Sequence, residues 1–210
     1  MDKPVNLLSL INAYNDLSES TFDDYLNNKG ISINEQEIQD MNKMIESMVH
    51  TVEQGYQRQL FDNFYIGFTI NQISKEFDLI RLGSNYLINI EIKNQSNEEK
   101  ILHQLKKNHY YLSVIDTNYL CFTYVAQNEK FYQLVNNTLK EIDITDLLDF
   151  IIKQEIEYID DLNKLFDPTR YLVSPFNSTE KFLEGRYFLT DHQENIKKNI
   201  LATNKQYYSI

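Results

Sequence analysis

The chain has 210 residues, of which 42% are hydrophobic, and its formal net charge at neutral pH is −11. This length suffices for one well-packed core with appendages, and the composition is typical of a globular protein. A chain this acidic is unsuited to binding polyanions over its whole surface. The one cysteine, Cys121 in the apolar run YLCFTYV, excludes an intrachain disulfide and is expected in a buried strand.

Membrane and zinc-site signals are missing from the sequence. No stretch approaches the roughly 18 consecutive apolar residues of a membrane span, and the N-terminus lacks a signal-peptide pattern. The four histidines show no paired ligand spacing, and with a single cysteine a structural zinc site is not expected. These features predict a cytoplasmic protein without membrane contact.

The N-terminal third is predicted to be helical. Residues 1–33 form a helical extension of short helices, in which apolar residues cluster around positions 7–14 and 22–26. A longer helix begins at Asn34, because Asn34 and Glu37 resemble a capping box and apolar residues then repeat at helical spacing. This helix opens a core domain expected to span residues 34–155.

Three strands are predicted to follow. Residues 64–70 form the first. The segment EFDLIRLGSNYLINIEIK, residues 76–93, reads as two strands joined at Gly83-Ser84-Asn85. If Ser84-Asn85 forms a two-residue hairpin loop, Asp78 lies opposite Glu91 and Glu76 lies opposite Lys93.

This register predicts a charged face and an apolar face. The Cβ atoms of Asp78 and Glu91 would lie about 5 Å apart, on the same face as Lys93. Opposed like charges destabilise a sheet, and a hard cation such as Mg²⁺ would compensate them. The alternative is a solvated hairpin in which Glu76 pairs with Lys93 while both acids face water. The other face is predicted to be core, and it carries Phe77, Leu79, Ile88, Ile90 and Ile92.

At these positions the chain resembles the PD-(D/E)XK nuclease superfamily, whose signature is an Asp on one strand and Glu-x-Lys on the next. The signature falls on Asp78, Glu91 and Lys93, with Phe77 in place of the superfamily's frequent proline. The resemblance implies that Asp78, Glu91 and the backbone carbonyl of Ile92 hold Mg²⁺, for which Mn²⁺ can substitute. It implies that Lys93 orients or helps deprotonate the attacking water.

The resemblance also implies a fold and an activity. The fold is the restriction-endonuclease-like α/β/α sandwich around a central mixed β-sheet, here with added helices at both termini. The activity is metal-dependent hydrolysis of phosphodiester bonds in nucleic acid, with DNA as the preferred substrate.

A helix capped by Ser96 or Asn97 is predicted after the hairpin. Gln104 lies beside its apolar stripe, where its amide can reach a water on the metal or a phosphate. Superfamily nucleases, particularly those fused to helicases, often carry a Gln here, sometimes followed by a Tyr. Gln104 is therefore expected to assist catalysis, whereas Tyr110 departs from the usual spacing and is expected in the core or on the surface.

Relatives in the superfamily often place an extra acidic residue on the helix before the first strand. Glu53 or Glu46 could serve, although a solvated glutamate explains each of them. Nucleic acid is the expected partner, and local contact could involve Lys100, Lys106 and Lys107. A solvated helix face explains those lysines equally well.

The remaining core elements are two strands and a helix. Residues 119–126 and 130–135 are predicted strands, and an amphipathic helix begins near Ile144, which the apolar residues of 156–165 can extend. The order of helix, strand, hairpin, helix and hairpin suits an α/β sandwich around a mixed sheet. Residues 156–186 are expected to be a linker or helical extension.

The tail carries a second, shorter resemblance. Residues 187–201, YFLTDHQENIKKNIL, have Thr190 or Asp191 as a helix cap and then an apolar stripe. They resemble the segment just upstream of the phosphate-binding loop in superfamily 1 type helicases, where a Gln, here Gln193, contacts adenine. No glycine-rich phosphate loop follows, so residues 187–210 are expected to begin a truncated helicase or ATPase domain. A surface glutamine on a terminal helix is the alternative.

Together the two resemblances predict the nuclease part of a bacterial or phage nuclease-helicase protein, acting in DNA repair or antiphage defence. The competing hypothesis is a binding or regulatory module that kept the fold, does not cleave, and contacts a protein partner through its acidic face.

Overall fold

A six-stranded mixed sheet forms the centre of the computed structural model, which describes residues 3–52, 57–159, 161–171, 179–183 and 191–202. The strands neighbour one another in chain order, and only the third and fourth are parallel. They are β1 (Phe64–Ile70), β2 (Lys75–Arg81), β3 (Leu87–Lys93), β4 (Tyr119–Val125), β5 (Lys130–Val135) and β6 (Thr138–Ile142).

Helices cover both faces of this sheet. The first face carries α1 (Leu7–Asp16), α2 (Glu19–Lys29), α3 (Glu35–Thr51) and α6 (Ile144–Lys153), whose apolar side chains form a first core cluster. The second face carries α5 (Glu98–Leu112) and the short 3-10 helices Leu162–Lys164 and Pro168–Tyr171, which form a second core cluster. The described helices also include α4 (Gln57–Leu60), α7 (Thr179–Leu183) and α8 (Asp191–Ala202). The predicted α/β class with a mixed sheet is confirmed.

Local sequence signals explain where the main helices begin. The Glu37 backbone N–H donates to Asn34 Oδ1 at 2.9 Å, and the Asn34 N–H donates to Glu37 Oε2 at 3.0 Å, which completes the predicted capping box of α3. Of the two cap candidates for α5, Asn97 is the one used, because its Oδ1 accepts the Lys100 N–H at 2.9 Å.

The connection between β2 and β3 differs from the predicted two-residue hairpin. The strands end at Arg81 and resume at Leu87, and residues 82–86 bind the chain that follows α6. The Ser84 N–H donates to the Glu155 carbonyl at 2.8 Å, and Asn85 Nδ2 donates to the Lys153 carbonyl at 2.9 Å. These bonds to a distant segment replace the tight turn. The pairs from Leu79 with Ile90 to Arg81 with Ile88 have the predicted register, but the ladder ends there and does not include the predicted pair of Glu76 with Lys93.

The C-terminal half differs from expectation in two places. Strand β6 was not expected; it follows β5 through a turn in which Asn136 and Asn137 have positive φ. The helix α6 ends at Lys153 and is not extended by residues 156–165, because Ile156 instead forms a β-bridge with Gly83.

A buried arginine joins β2 to its surroundings. The Arg81 side chain is 2% exposed, and all of its hydrogen-bond acceptors are neutral oxygens. Its Nη1 donates to the Ile151 carbonyl at 3.0 Å, near the C-terminal end of α6, and its Nη2 donates to the Gln59 carbonyl at 2.8 Å. Arg81 therefore fixes the helices α4 and α6 to the end of the strand that carries Asp78.

Candidate active site

Strand β2 changes the face that its side chains occupy at Asp78. Leu79 packs in the first core cluster, whereas Phe77 packs in the second. The prediction that Phe77 and Leu79 share one apolar face is therefore wrong. The cause lies in the paired strand β1, where Gly67, across from Asp78, has a φ of 64°. This positive φ reverses which face of the sheet the side chains of β1 and β2 occupy on either side of that point, a reversal called the turnover below.

The turnover places the Asp78 carboxylate where β2 and β3 separate. Its Oδ2 accepts the Ile92 backbone N–H at 2.7 Å. The carboxylate also lines a small cavity of about 20 Å³, which is room for one water-sized group. A side chain at Gly67 would come within 3.3 Å of the Ser32 carbonyl and 3.4 Å of Glu76 Oε1, so the glycine keeps this cavity open.

Lys93 occupies the point at which the two predicted acids converge. Its Nζ lies 3.6 Å from Asp78 Oδ2 and 3.6 Å from Glu91 Oε2. The side chains of Lys93 and Asp78 are 37% and 29% exposed, whereas that of Glu91 is only 2% exposed. The predicted grouping of the three residues is confirmed, but the division into a core face and an open chemical face is wrong, since both faces of the sheet carry core.

Glu91 is buried among donors that come from both sides. Its Oε1 accepts a hydrogen bond from Asn108 Nδ2 at 2.7 Å and lies 3.5 Å from Lys75 Nζ. Its Oε2 accepts a hydrogen bond from Gln104 Nε2 at 3.1 Å. A buried carboxylate with this many donors stays ionised, because the donors replace the hydration that burial removed.

The electrostatics of the site separate its two acids. Burial, and then the neighbouring Glu91 carboxylate, raise the pKa of Asp78 to about 7 against the opposing effect of Lys93. Burial acts to raise the pKa of Glu91 as well, but the ammoniums of Lys75 and Lys93 outweigh it, and the pKa lies below its ordinary value. Burial would lower the pKa of Lys93, but the two carboxylates raise it. Asp78 is therefore the carboxylate of the pair that gains or loses a proton near neutral pH, and a pKa shifted in this way is typical of functional sites.

The other predicted residues fall at different distances from this centre. Gln104 reaches it directly, as its bond to Glu91 shows. Tyr110 is half-buried and packs edge-on against Tyr111 at the margin of the second core cluster, in keeping with the core or surface interpretation. Glu46 is exposed on α3 and accepts a hydrogen bond from Asn42 at 3.0 Å.

Two of the predicted residues lie outside the described ranges. Glu53 and the proposed cap Thr190 both lie there, while the helix α8 begins at Asp191, the other cap candidate. Gln193 is exposed on α8. Of the α5 lysines, Lys100 is exposed and Lys106 and Lys107 are partly buried.

Three residues of the site were not predicted from the sequence: Lys75, Asn89 and Asn108. Asn108 follows Gln104 by one helical turn and is fully buried, so the spacing of the two amides on the α5 face was an available signal. Asn89 lies two residues before Glu91 on the same face of β3, and its Oδ1 accepts from Asn108 Nδ2 at 2.7 Å. Lys75 gave no signal, because its approach to Glu91 depends on the turnover of β2.

The donor set fits a hard divalent cation. Asp78 Oδ2 and Glu91 Oε2 already converge on one positive group, the Lys93 ammonium, and carboxylate and carbonyl oxygens are the ligands that Mg²⁺ prefers. Over the described residues, no set of three or more His, Cys, Asp and Glu side chains is grouped to hold a metal. A site of this type therefore depends on two carboxylates, completed by backbone carbonyl, water and substrate oxygens.

No protein-family model, curated protein or solved structure matches the chain. Within the described ranges, none of the helices is both long and apolar enough to cross a membrane.

Proposed function

We propose that the protein is a metal-dependent nuclease of the PD-(D/E)XK type with a restriction-endonuclease-like fold. The observation that carries the proposal is the convergence of Asp78, Glu91 and Lys93, in which one ammonium lies 3.6 Å from an oxygen of each acid. The helix-covered mixed sheet supports it, because the three residues sit on adjacent central strands.

Asp78, Glu91 and the Ile92 carbonyl would hold Mg²⁺ or Mn²⁺. Such an ion lowers the pKa of water and offsets charge on a phosphate. The chain's own groups supply the rest. Glu91 stays ionised near neutral pH, Lys93 brings an ammonium to the reacting phosphate and water, and Gln104 orients the Glu91 carboxylate through its 3.1 Å hydrogen bond.

DNA is the proposed substrate, and contact with it would be local. The net charge of −11 opposes binding over the whole surface, so neutralisation near the site has to come from Lys93, the bound cation and the α5 lysines. The proposal extends to a nuclease-helicase system in DNA repair or phage defence, on the resemblance of the tail that contains Gln193.

A binding module that does not cleave is the second candidate. It is favoured by the burial of Glu91, whose oxygens already have Lys75, Lys93, Asn108 and Gln104 as partners, as in a structural polar cluster. In that case the acidic surface would contact a protein partner.

Cleavage assays separate the two candidates. Linear and circular DNA, single-stranded and double-stranded, is incubated with the protein in Mg²⁺ or Mn²⁺ and with EDTA. We expect metal-dependent cleavage by the wild type and loss of at least about 100-fold in Asp78→Ala and Lys93→Ala. Lys153→Ala is the control, since it removes an exposed ion pair to Asp149 beside Asn85, at the end of β3 opposite Lys93. Cleavage that persists in both site variants would remove the proposed site, and no cleavage by the wild type on any substrate would favour the binding module.

A further inference from the structure

We propose that Lys75 is a second lysine of this site, a positioning residue that holds Glu91 from the protein interior while Lys93 remains free to leave the carboxylates. The inference rests on the proposed function and deepens it. It gives the two ammoniums different roles, whereas the signature residues include only Lys93.

The two oxygens of Glu91 are divided between an inner and an outer set of partners. Oε1 has the inner set, with Asn108 at 2.7 Å and Lys75 at 3.5 Å. Oε2 has the outer set, with Gln104 at 3.1 Å and Lys93 at 3.6 Å. Because the inner set fixes Oε1, Oε2 is the oxygen presented toward Asp78.

Lys75 is fixed in place, whereas Lys93 is not. The Lys75 side chain is 5% exposed, its Nζ lies 4.4 Å from the centroid of the Phe77 ring, and it also donates to the Glu76 carbonyl. The Lys93 side chain is 37% exposed at the mouth of the site. A buried ammonium without a counter-charge is costly, so Lys75 and Glu91 each require the other.

The different surroundings predict opposite effects on cation binding. Lys93 occupies the point between Asp78 Oδ2 and Glu91 Oε2, so an added cation has to compete with its ammonium. Lys75 contacts the far oxygen, so it does not occupy that point. Its removal takes away a group that fixes the Glu91 carboxylate, so Oε2 is less well placed as a ligand for a cation.

The test measures Mn²⁺ affinity of the full chain by electron paramagnetic resonance of free Mn²⁺, independently of cleavage. We expect Lys93→Met to bind Mn²⁺ about tenfold more tightly than the wild type, since the competing cation is gone. We expect Lys75→Met to bind it about 10- to 100-fold more weakly, as for residues that orient metal ligands. Lys75→Arg should recover most of the affinity, and the surface control Lys153→Met, on α6, should match the wild type.

The outcomes distinguish failure of this inference from failure of the proposed function. A folded Lys75→Met variant with unchanged or tighter Mn²⁺ binding overturns the role of Lys75 and leaves the nuclease proposal standing if the wild type cleaves. A wild type that binds no Mn²⁺ overturns both. If Lys75→Met does not fold, Lys75→Gln, which keeps an N–H donor, replaces it with the same expected weakening. Failure of both variants to fold assigns Lys75 a purely structural role and overturns the proposal.

Discussion

Replacing Asp78 by asparagine should stabilise the metal-free protein at alkaline pH. The folded protein holds the Asp78 proton more tightly than the unfolded chain does, because the pKa rises from 3.8 to about 7 on burial beside Glu91. The native state therefore binds more protons between about pH 4 and pH 7, and the wild type loses stability as pH rises through that window. Asparagine has no charge to bury and can still accept the Ile92 N–H.

The size of the effect follows from the pKa. The rise to about 7 corresponds to about 4 kcal/mol at 1.4 kcal/mol per tenfold change in proton affinity. The Asp78 side chain is 29% exposed, and solvent screening together with its coupling to Lys93 reduces the expected gain to about 2 kcal/mol at pH 8. For a chain of this size, the melting temperature should rise by about 4–8 °C at pH 8 and by at most about 2 °C at pH 4.5.

The assay is thermal unfolding followed by circular dichroism in EDTA, across a pH series. Asp149→Asn is the matched control, because Asp149 is a 65% exposed carboxylate paired with Lys153 on the surface of α6. A melting-temperature difference between wild type and Asp78→Asn that does not grow from pH 4.5 to pH 8 would refute the electrostatic account of this site.

Metal binding, the Gly67 backbone and the Arg81 anchor can each be tested by unfolding experiments. Saturating Mg²⁺ should raise the melting temperature of the wild type by about 2–5 °C but not that of Asp78→Asn, as differential scanning fluorimetry can measure; equal shifts would place binding elsewhere. Gly67→Ala should cost about 1–2 kcal/mol in urea unfolding, because φ is 64° and the new methyl meets the Ser32 carbonyl at 3.3 Å; an unchanged midpoint would contradict the strained turnover. Arg81→Met should cost about 3 kcal/mol in the same assay, since it leaves buried carbonyl oxygens without donors, and a loss below about 1 kcal/mol would contradict its anchoring role.

Much of the fold could be predicted from local signals. Strand β1 occupies the predicted residues, β4 and β5 match to within a residue, and the helices α3 and α5 begin at predicted caps. Each of these elements has a period or a cap that is written in consecutive residues. Strand β6 was missed because its sequence, TLKEI, is short and largely exposed at the sheet edge, so it shows no apolar run.

The site was only partly predictable, for a physical reason. The register of β2 against β3 was predicted from a two-residue loop at Ser84-Asn85. That loop does not form, yet Leu79 still pairs with Ile90 as predicted, and Asp78, Glu91 and Lys93 come together. The turnover at Gly67 breaks the alternation of side chains between the two faces of the sheet through one backbone angle, and a sequence pattern with period two does not reveal it. The contact of Lys75 with Glu91, and the burial of Glu91, both depend on this turnover and on long-range packing of α5.

The most direct test of the central claim is a crystal structure of the protein with Mn²⁺, with anomalous diffraction used to locate the ion. The proposed site predicts a strong anomalous peak about 2.0–2.3 Å from carboxylate oxygens of both Asp78 and Glu91, with Lys93 displaced from its present contact with the two acids. A protein that cleaves DNA in Mn²⁺ while its anomalous peak lies elsewhere, or while Lys93 still occupies the space between the acids, would contradict it.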